Sequence, residues 1–289
     1  MFVHGDNISR KEKEFSKDEK RSAYLVKIRN SYEQWKSDNL SLKGPFVDST
    51  DGEVETVINR RVELLNAYKD FIEAKTYAEA FDSRSNLQSS VLEEFCYYLF
   101  HDLIASIAGN ALIGKASALK SISYRPTSYT EMVKKPCFTI EHKEHDFLIG
   151  VNVGAKFQCE GETNVQEENL QIPAVAIECK TYLDKTMLEG SSTTASQLME
   201  FNPNSMYIII AEWLKLTDNI NLKKYKIDQI YILRKQKNTD RKDRLLPTYQ
   251  KNPIYADVVK HLFLSVRDHL TKDWSVANSE GLKRGFLIE

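Results

Sequence analysis

The sequence has no paired CxxC cysteines, no surplus of charge of either sign, and no apolar run long enough to cross a bilayer. Each absence removes a class of protein. Its four cysteines, Cys96, Cys137, Cys159 and Cys179, are scattered, and two of them sit inside apolar runs. They read as reduced, mostly buried thiols in a reducing compartment, not as a disulfide framework. A formal net charge of −1 gives no global field to draw the chain onto nucleic acid. Any surface for a polyanion has to be a local patch, whereas an enzyme whose own acids hold cations stays open. The N-terminus is charged and has no apolar h-region, so no signal peptide is expected. The longest apolar runs, such as "MYIIIAEWL" at 206–214, fall short of a membrane span. There is no internal repeat and no low-complexity linker. The expectation is a soluble, cytoplasmic protein with no membrane partner. Its 289 residues, 42% of them hydrophobic, suffice for one large domain or two small ones.

What is present divides the chain in two. To about residue 110 the pattern is helical. "KDEKRSAYLVKIRNSYEQWKSDNL" spaces Tyr24, Leu25, Ile28, Tyr32 and Trp35 along one face. A second helix begins near Glu53, and a third, "SNLQSSVLEEFCYYLFHDLIASI", has Ser85 or Asn86 as its N-cap. From about 120 the segments are short and rich in β-branched and aromatic residues: "SISYRPTSY", "CFTIEH", "DFLIGVNV", "AVAIECK", "MYIIIAEW" and "IDQIYILRK". A loop and then a helix are expected within "LDKTMLEGSSTTASQLMEFNPN", and the tail returns to helix at "PIYADVVKHLFLSVRDHL". The coarse reading is an α/β (α+β) fold with a central mixed β-sheet flanked by helices, preceded by a helical N-terminal region. The boundary is set at 1–84 and 85–289.

The chemistry concentrates in "AVAIECK". At a period of two, Val175, Ile177 and Cys179 point one way, and Ala176, Glu178 and Lys180 point the other. On an edge strand Glu178 and Lys180 would be an ordinary surface ion pair of little energetic weight. The strand is apolar enough to be central, which would put the pair at a sheet end facing a cleft. Asp146 opens a second apolar run, "DFLIGV". If the two strands are antiparallel neighbours, two carboxylates meet at one point and repel unless a cation separates them. Mg²⁺ suits such a pair, since it takes one or two carboxylates, waters and phosphate oxygens.

Asp146 followed by Glu178-x-Lys180 resembles the PD-(D/E)xK signature of type II restriction endonucleases, with His145 in place of the usual proline. The longer stretch "VAIECKTYLDKTMLEGSSTTAS" is similar to subunits of the heterodimeric restriction enzymes of the BbvCI type, in which each of two different subunits cuts one strand. The long gap between Asp146 and Glu178 requires "NVGAKFQCEGETNVQEENLQ" to be a hairpin or loop excursion. The resemblance implies a PD-(D/E)xK nuclease core, Mg²⁺ held by Asp146 and Glu178, and a catalytic Lys180. It also implies double-stranded DNA as substrate, a related second subunit or self-association, and a bacterial cytoplasm. It suggests two further catalytic positions: Glu93, with Glu94 as the alternative, on the helix before the sheet, and Gln197 on the helix after it. Their plain readings are a solvated acid on an amphipathic helix and an ordinary polar helix residue.

Other stretches offer cations to DNA. "RKQKNTDRKDR" at 234–244 holds six basic and two acidic residues. It is either a solvated loop or a clamp on phosphates through Lys235, Lys237, Arg241, Lys242 and Arg244, with Arg241 and Arg244 as possible guanine readers. Arg125 in "SYRPTSY" and the basic N-terminal helix are alternatives. Gly190–Ser196 at the start of its helix would offer backbone N–H groups to a phosphate. Two look-alikes are set aside. "GNALIGKA" has Gly109, Gly114 and Lys115 at P-loop spacing, but Ala116 replaces the Ser/Thr that would hold Mg²⁺. "HKEH" with His142 and His145 lacks a second ligand pair for zinc and reads as a polar turn between strands. Two further functions stand beside restriction: a non-specific or repair-type nuclease, and a catalytically idle DNA-binding protein.

Overall fold

The computed structural model describes residues 2–81, 87–239, 241–244, 246, 248–275 and 277–285; side chains at 241, 242 and 277–280 lie outside the description. Four helices come first: α1 (Val3–Glu14), α2 (Glu19–Ser41), α3 (Asp51–Ile72) and α4 (Lys75–Ala80). The caps explain two of the starts. Asp18 accepts from the backbone N–H of Arg21 at the head of α2, and Thr50 with Glu53 forms a reciprocal capping box on α3. Leu25, Ile28, Tyr32 and Trp35 on α2 and Val54, Ile58, Leu65 and Ile72 on α3 recur every three, four or seven residues. These are the buried stripes. The helix α5 (Ser90–Ile107) buries 12 of its 18 residues, as expected for a helix threaded through the middle of a fold. Ser85 and Asn86, expected to cap it, lie outside the described residues.

Five strands follow in the spatial order β1-β2-β3-β4-β5: β1 (Leu112–Tyr124), β2 (Phe138–Gln158), β3 (Val165–Leu183), β4 (Met206–Leu214) and β5 (Gln229–Ile232). The first three are antiparallel, and β3, β4 and β5 are parallel, so the sheet is mixed. Short α6 (Tyr129–Lys134) links β1 to β2, and α7 (Lys185–Phe201) is the crossover that a parallel β3–β4 pair requires. A short α8 (Arg241–Arg244), then α9 (Ala256–Thr271) and α10 (Ala277–Arg284) complete the chain. One face of the sheet packs Val175, Ile177, Ile208 and Ile210 onto α5 and α9, in a core that runs without interruption from Ile8 to Val266. The other face packs Ala176, Tyr207 and Ile209 against Leu188, Ala195 and Leu198 of α7. Among the described residues no helix is long and apolar enough to cross a membrane, and all four cysteines are free.

Three local expectations are corrected. "CFTIEH" and "DFLIGVNV" are one strand, and His142–His145 lies inside it, paired with β1. Asp146 is therefore mid-strand and does not open one. β1 begins at Leu112, earlier than its composition suggests. Gly190–Ser196 is not at a helix start. Asp184 caps α7 by accepting from Met187 N–H, and the helix runs unbroken to Phe201. The N–H groups of Gly190–Ser196 are spent inside the helix, which overturns a phosphate cradle there. The excursion between the two acidic strands is a hairpin, its register running from Val151 opposite Ile172 to Gln158 opposite Val165.

The N-terminal helices are tied to the sheet by buried ions. Lys69 on α3 lies 2.6 Å from Glu212 on β4 and 2.7 Å from Glu73. Glu212 also takes Arg234, at 2.9 Å from both Nε and Nη2. Lys69, Glu212 and Arg234 are all buried.

Candidate functional site

The register places the acidic residues. Phe147 on β2 pairs with Ile177 on β3, so Asp146 lies beside Glu178 at the same level of the sheet. Between Leu148 and His145 strand β2 advances three residues while β1 advances two, from Gly114 to Ala116. That extra residue is a β-bulge, which breaks strict alternation and re-aims the side chains around it. Asp146 Oδ2 accepts the backbone N–H of Cys179 at 2.9 Å. Lys180 Nζ lies 2.5 Å from Glu178 Oε1 and 3.6 Å from Asp146 Oδ2. All three side chains are about four-fifths covered, with 23%, 19% and 24% exposure for Asp146, Glu178 and Lys180. β3 is the central strand of five, so the pair is no edge-strand ornament.

Glu93 joins them from α5. Its carboxyl is raised above the ordinary range, first by burial and then by Asp146, with Lys115 and Lys180 opposing. Asp146 is likewise raised, by burial and by Glu178, against Lys180, the Cys179 N–H and Lys115. Burial pulls the Lys180 ammonium down, but Glu178 and Asp146 outweigh it and raise its pKa, so the group is a cation at neutral pH. The neighbouring Glu94 points elsewhere. It is buried and accepts from Tyr98, Tyr32 and the backbone N–H groups of His4 and Gly5, which pins α1 and α2 to α5. Of the two glutamates, Glu93 is the one that faces Asp146 and Lys180. Gln197 is half-buried on α7, and none of the polar contacts of Asp146, Glu178 or Lys180 involves it.

Two neighbours complete the surroundings: Tyr207, which the sequence does not single out, and His145, which it reads as part of a polar turn. Tyr207, fully buried on β4, donates its O–H to Glu178 Oε2 at 3.3 Å, and Ser191 of α7 hydrogen-bonds to the same Tyr207 hydroxyl. His145 is 2% exposed, stands edge-on to the Tyr207 ring at 6.0 Å, and leaves Nδ1 without a partner. Burial and Lys143 lower its pKa to about 4, so the imidazole is neutral. In "MYIII" a tyrosine reads as core; only the β3–β4 register reveals that its hydroxyl reaches an acid. Tyr207→Phe is expected to slow cleavage about tenfold while DNA binding in Ca²⁺ stays unchanged, as single-turnover rates and gel shifts would measure.

The basic segment is divided among several tasks. Arg234 is buried in the ion network, Lys235 pairs with Asp257 at 2.5 Å, and Lys237 pairs with Asp218 at 3.2 Å. The Arg244 guanidinium lies 4.6 Å from the Trp213 ring centre. Trp213 pairs with Tyr182, two residues beyond Lys180, so this segment leaves the same end of the sheet as the acidic cluster. The side chains of Arg241 and Lys242 lie outside the described residues. Arg125 is at the far end of β1, 3.7 Å from Glu141, where it helps line a cavity of about 390 Å³ with Lys135 and Gln166. It is not part of the cluster. Lys115 continues β1 and opens no helix, so the P-loop look-alike has no phosphate cradle.

The sequence model of the Bpu10I restriction endonuclease family matches residues 84–287. The chain belongs to that family. It is therefore a type II restriction endonuclease chain, and the matched residues contain the whole five-stranded mixed sheet. The fold is also similar to a chain of a solved structure described as the native BbvCI A2B2 tetramer at low resolution. The TM-score is 0.68 at 21% identity, over 94% of this chain and 96% of that one. That coverage takes in most of the helices before residue 84, so they share in the common fold. No curated protein matches the sequence.

Proposed function

We propose that this Bpu10I-family chain is one subunit of a heterodimeric enzyme that hydrolyses phosphodiesters of double-stranded DNA at a short specific site. In this reading it uses Mg²⁺ and cuts one strand per subunit. The observation that carries the proposal is the meeting of Asp146, Glu178 and Lys180 on adjacent strands, with Glu93 facing them from α5. The donor set fits a hard divalent cation. The candidate ligands are carboxylate oxygens, and Asp146 and Glu93 are raised first by burial and then by a neighbouring anion, Glu178 for the one and Asp146 for the other. Among the described residues no three acidic, histidine or cysteine groups close into a ready-made cage. Two carboxylates with the rest of the shell left to water and phosphate is the arrangement Mg²⁺ commonly takes.

Asp146 and Glu178 would hold the metal, which supplies Lewis-acid polarisation of the phosphate and a more acidic water. The chain's own groups do the rest. Lys180, kept as an ammonium, donates to the attacking water or to a phosphate oxygen and offsets charge that builds up in the transition state. The Cys179 N–H fixes one oxygen of Asp146, and Tyr207 fixes one oxygen of Glu178. Phosphate contacts are assigned to the basic segment, where Lys235 and Lys237 would exchange Asp257 and Asp218 for DNA, alongside Arg241, Lys242 and Arg244. The BbvCI structure is described as an A2B2 tetramer, which supports a related partner subunit for this chain.

The test is plasmid digestion by the purified chain, with and without a related subunit. Discrete fragments or defined nicks that appear only with Mg²⁺ and vanish with a chelator are expected. A smear would favour a non-specific nuclease, and metal-independent binding without nicking would favour an idle DNA-binding protein.

A further inference from the structure

Lys115 has no part in the E-x-K pair, yet it reaches the same cluster. It follows Gly114 on β1 and faces the bulge of β2. Its Nζ lies 3.4 Å from Glu93 and 3.4 Å from Glu144. Four carboxylates, Glu93, Glu144, Asp146 and Glu178, thus surround two ammonium groups, Lys115 and Lys180. The two lysines are not equivalent. Lys180 is held by two acids that are themselves mostly covered. Lys115 is 34% exposed, and its partners differ sharply: Glu93 is 11% exposed and faces Asp146, whereas Glu144 is 67% exposed and faces solvent. A long, rotatable side chain between such partners can give up the inner acid and keep the outer one. Its ammonium occupies electrostatic ground that a divalent cation beside Asp146 and Glu93 would need.

We propose that Lys115 is a tethered counter-ion that competes with the catalytic cation for Glu93 and Asp146 and so sets the metal concentration at which the site fills. The inference rests on the metal site proposed at Asp146 and Glu178. Without metal, Lys115 neutralises the inner acids and offsets their mutual repulsion. With metal, it moves toward Glu144, where its charge faces an incoming DNA phosphate.

The experiment is calorimetric titration of MnCl₂ into the purified full chain without DNA. K115M is expected to bind Mn²⁺ about five- to tenfold more tightly than the wild type, because a like charge has been removed from beside the ion. K115Q repeats the test without adding apolar surface and should behave alike. K115R keeps the charge and is expected to stay within about twofold of the wild type. In an E93Q background the effect of K115M should shrink, since the shared acid is gone. Equal or weaker Mn²⁺ binding by K115M and K115Q would overturn the proposal. Loss of Mn²⁺ binding in E178Q identifies the site being titrated; unchanged binding in E178Q would instead reject the metal site itself.

Discussion

Glu178→Gln is expected to lower DNA cleavage by at least about a thousandfold while leaving specific DNA binding intact. The substitution keeps size and hydrogen bonding but removes the charge that would hold a cation opposite Asp146. It also removes the anion that, with Asp146, outweighs burial in keeping Lys180 protonated. The side chain is not part of either apolar core, so folding should be preserved. Strand-specific end-labelling of a single-site duplex measures the effect. If this chain cuts one strand beside an active partner subunit, the mutant complex should accumulate a nick in the other strand only. Undiminished double-strand cleavage by that complex would remove Glu178 from the reaction.

Glu212→Leu is expected to destabilise the fold by about 3–5 kcal/mol, because breaking a buried ion pair strands its partners. Lys69 would keep Glu73 at 2.7 Å, and Arg234 would keep Glu73 at 3.8 Å, so two buried cations would lean on one carboxylate. Removing the exposed Lys237–Asp218 pair should cost about 0–1 kcal/mol. Urea unfolding separates the two cases. The same network gives an acid limit. Burial pushes Glu73 up, but Lys69, Lys251 and Arg234 outweigh it and hold its pKa at about 2, below the ordinary 4.5. A carboxyl lowered by folding stabilises above its unfolded pKa, and that stability is lost as pH falls toward the folded one. The urea midpoint should therefore drop between about pH 4.5 and 2, and drop less in Glu73→Gln.

The end of β3 is legible because core and charge alternate with period two from Ile177 to Lys180, whereas the bulge beside Asp146 breaks that alternation in β2. Val175, Ile177 and Cys179 lie in one core, and Glu178 and Lys180 face the other way, as spacing alone implies. The first part of β2 carries no such signal. "HKEH" looks like a turn because much of that stretch of β2 is exposed and lacks the alternating burial that marks a core strand. "GSSTTAS" reads as a helix start because hydroxyl residues favour caps over helix interiors. In α7 their hydroxyls instead bond back to carbonyls four residues earlier, as Thr193 does to Glu189 and Thr194 to Gly190, while Leu188, Ala195 and Leu198 supply the packing. The choice between Glu93 and Glu94 was beyond sequence alone, since adjacent helix positions differ by one turn angle, and only the placement of α1 and α2 claims Glu94. Tyr207 and Lys115 required the strand register.

One missing side chain governs how the sheet becomes an arm. At Gly150 a Cβ would collide with the carbonyl oxygen of Ile172, at the point where the β2–β3 register slips by one residue. Pro173, which has no N–H to offer the ladder, sits directly opposite, and its own carbonyl is taken by Ser205 and Asn202. This is a crease in the ribbon, four residues from Asp146 along one strand and five from Glu178 along the other. A side chain at position 150 would force apart the same two strands that set Asp146 beside Glu178, so the absence of one here protects the spacing of the carboxylates.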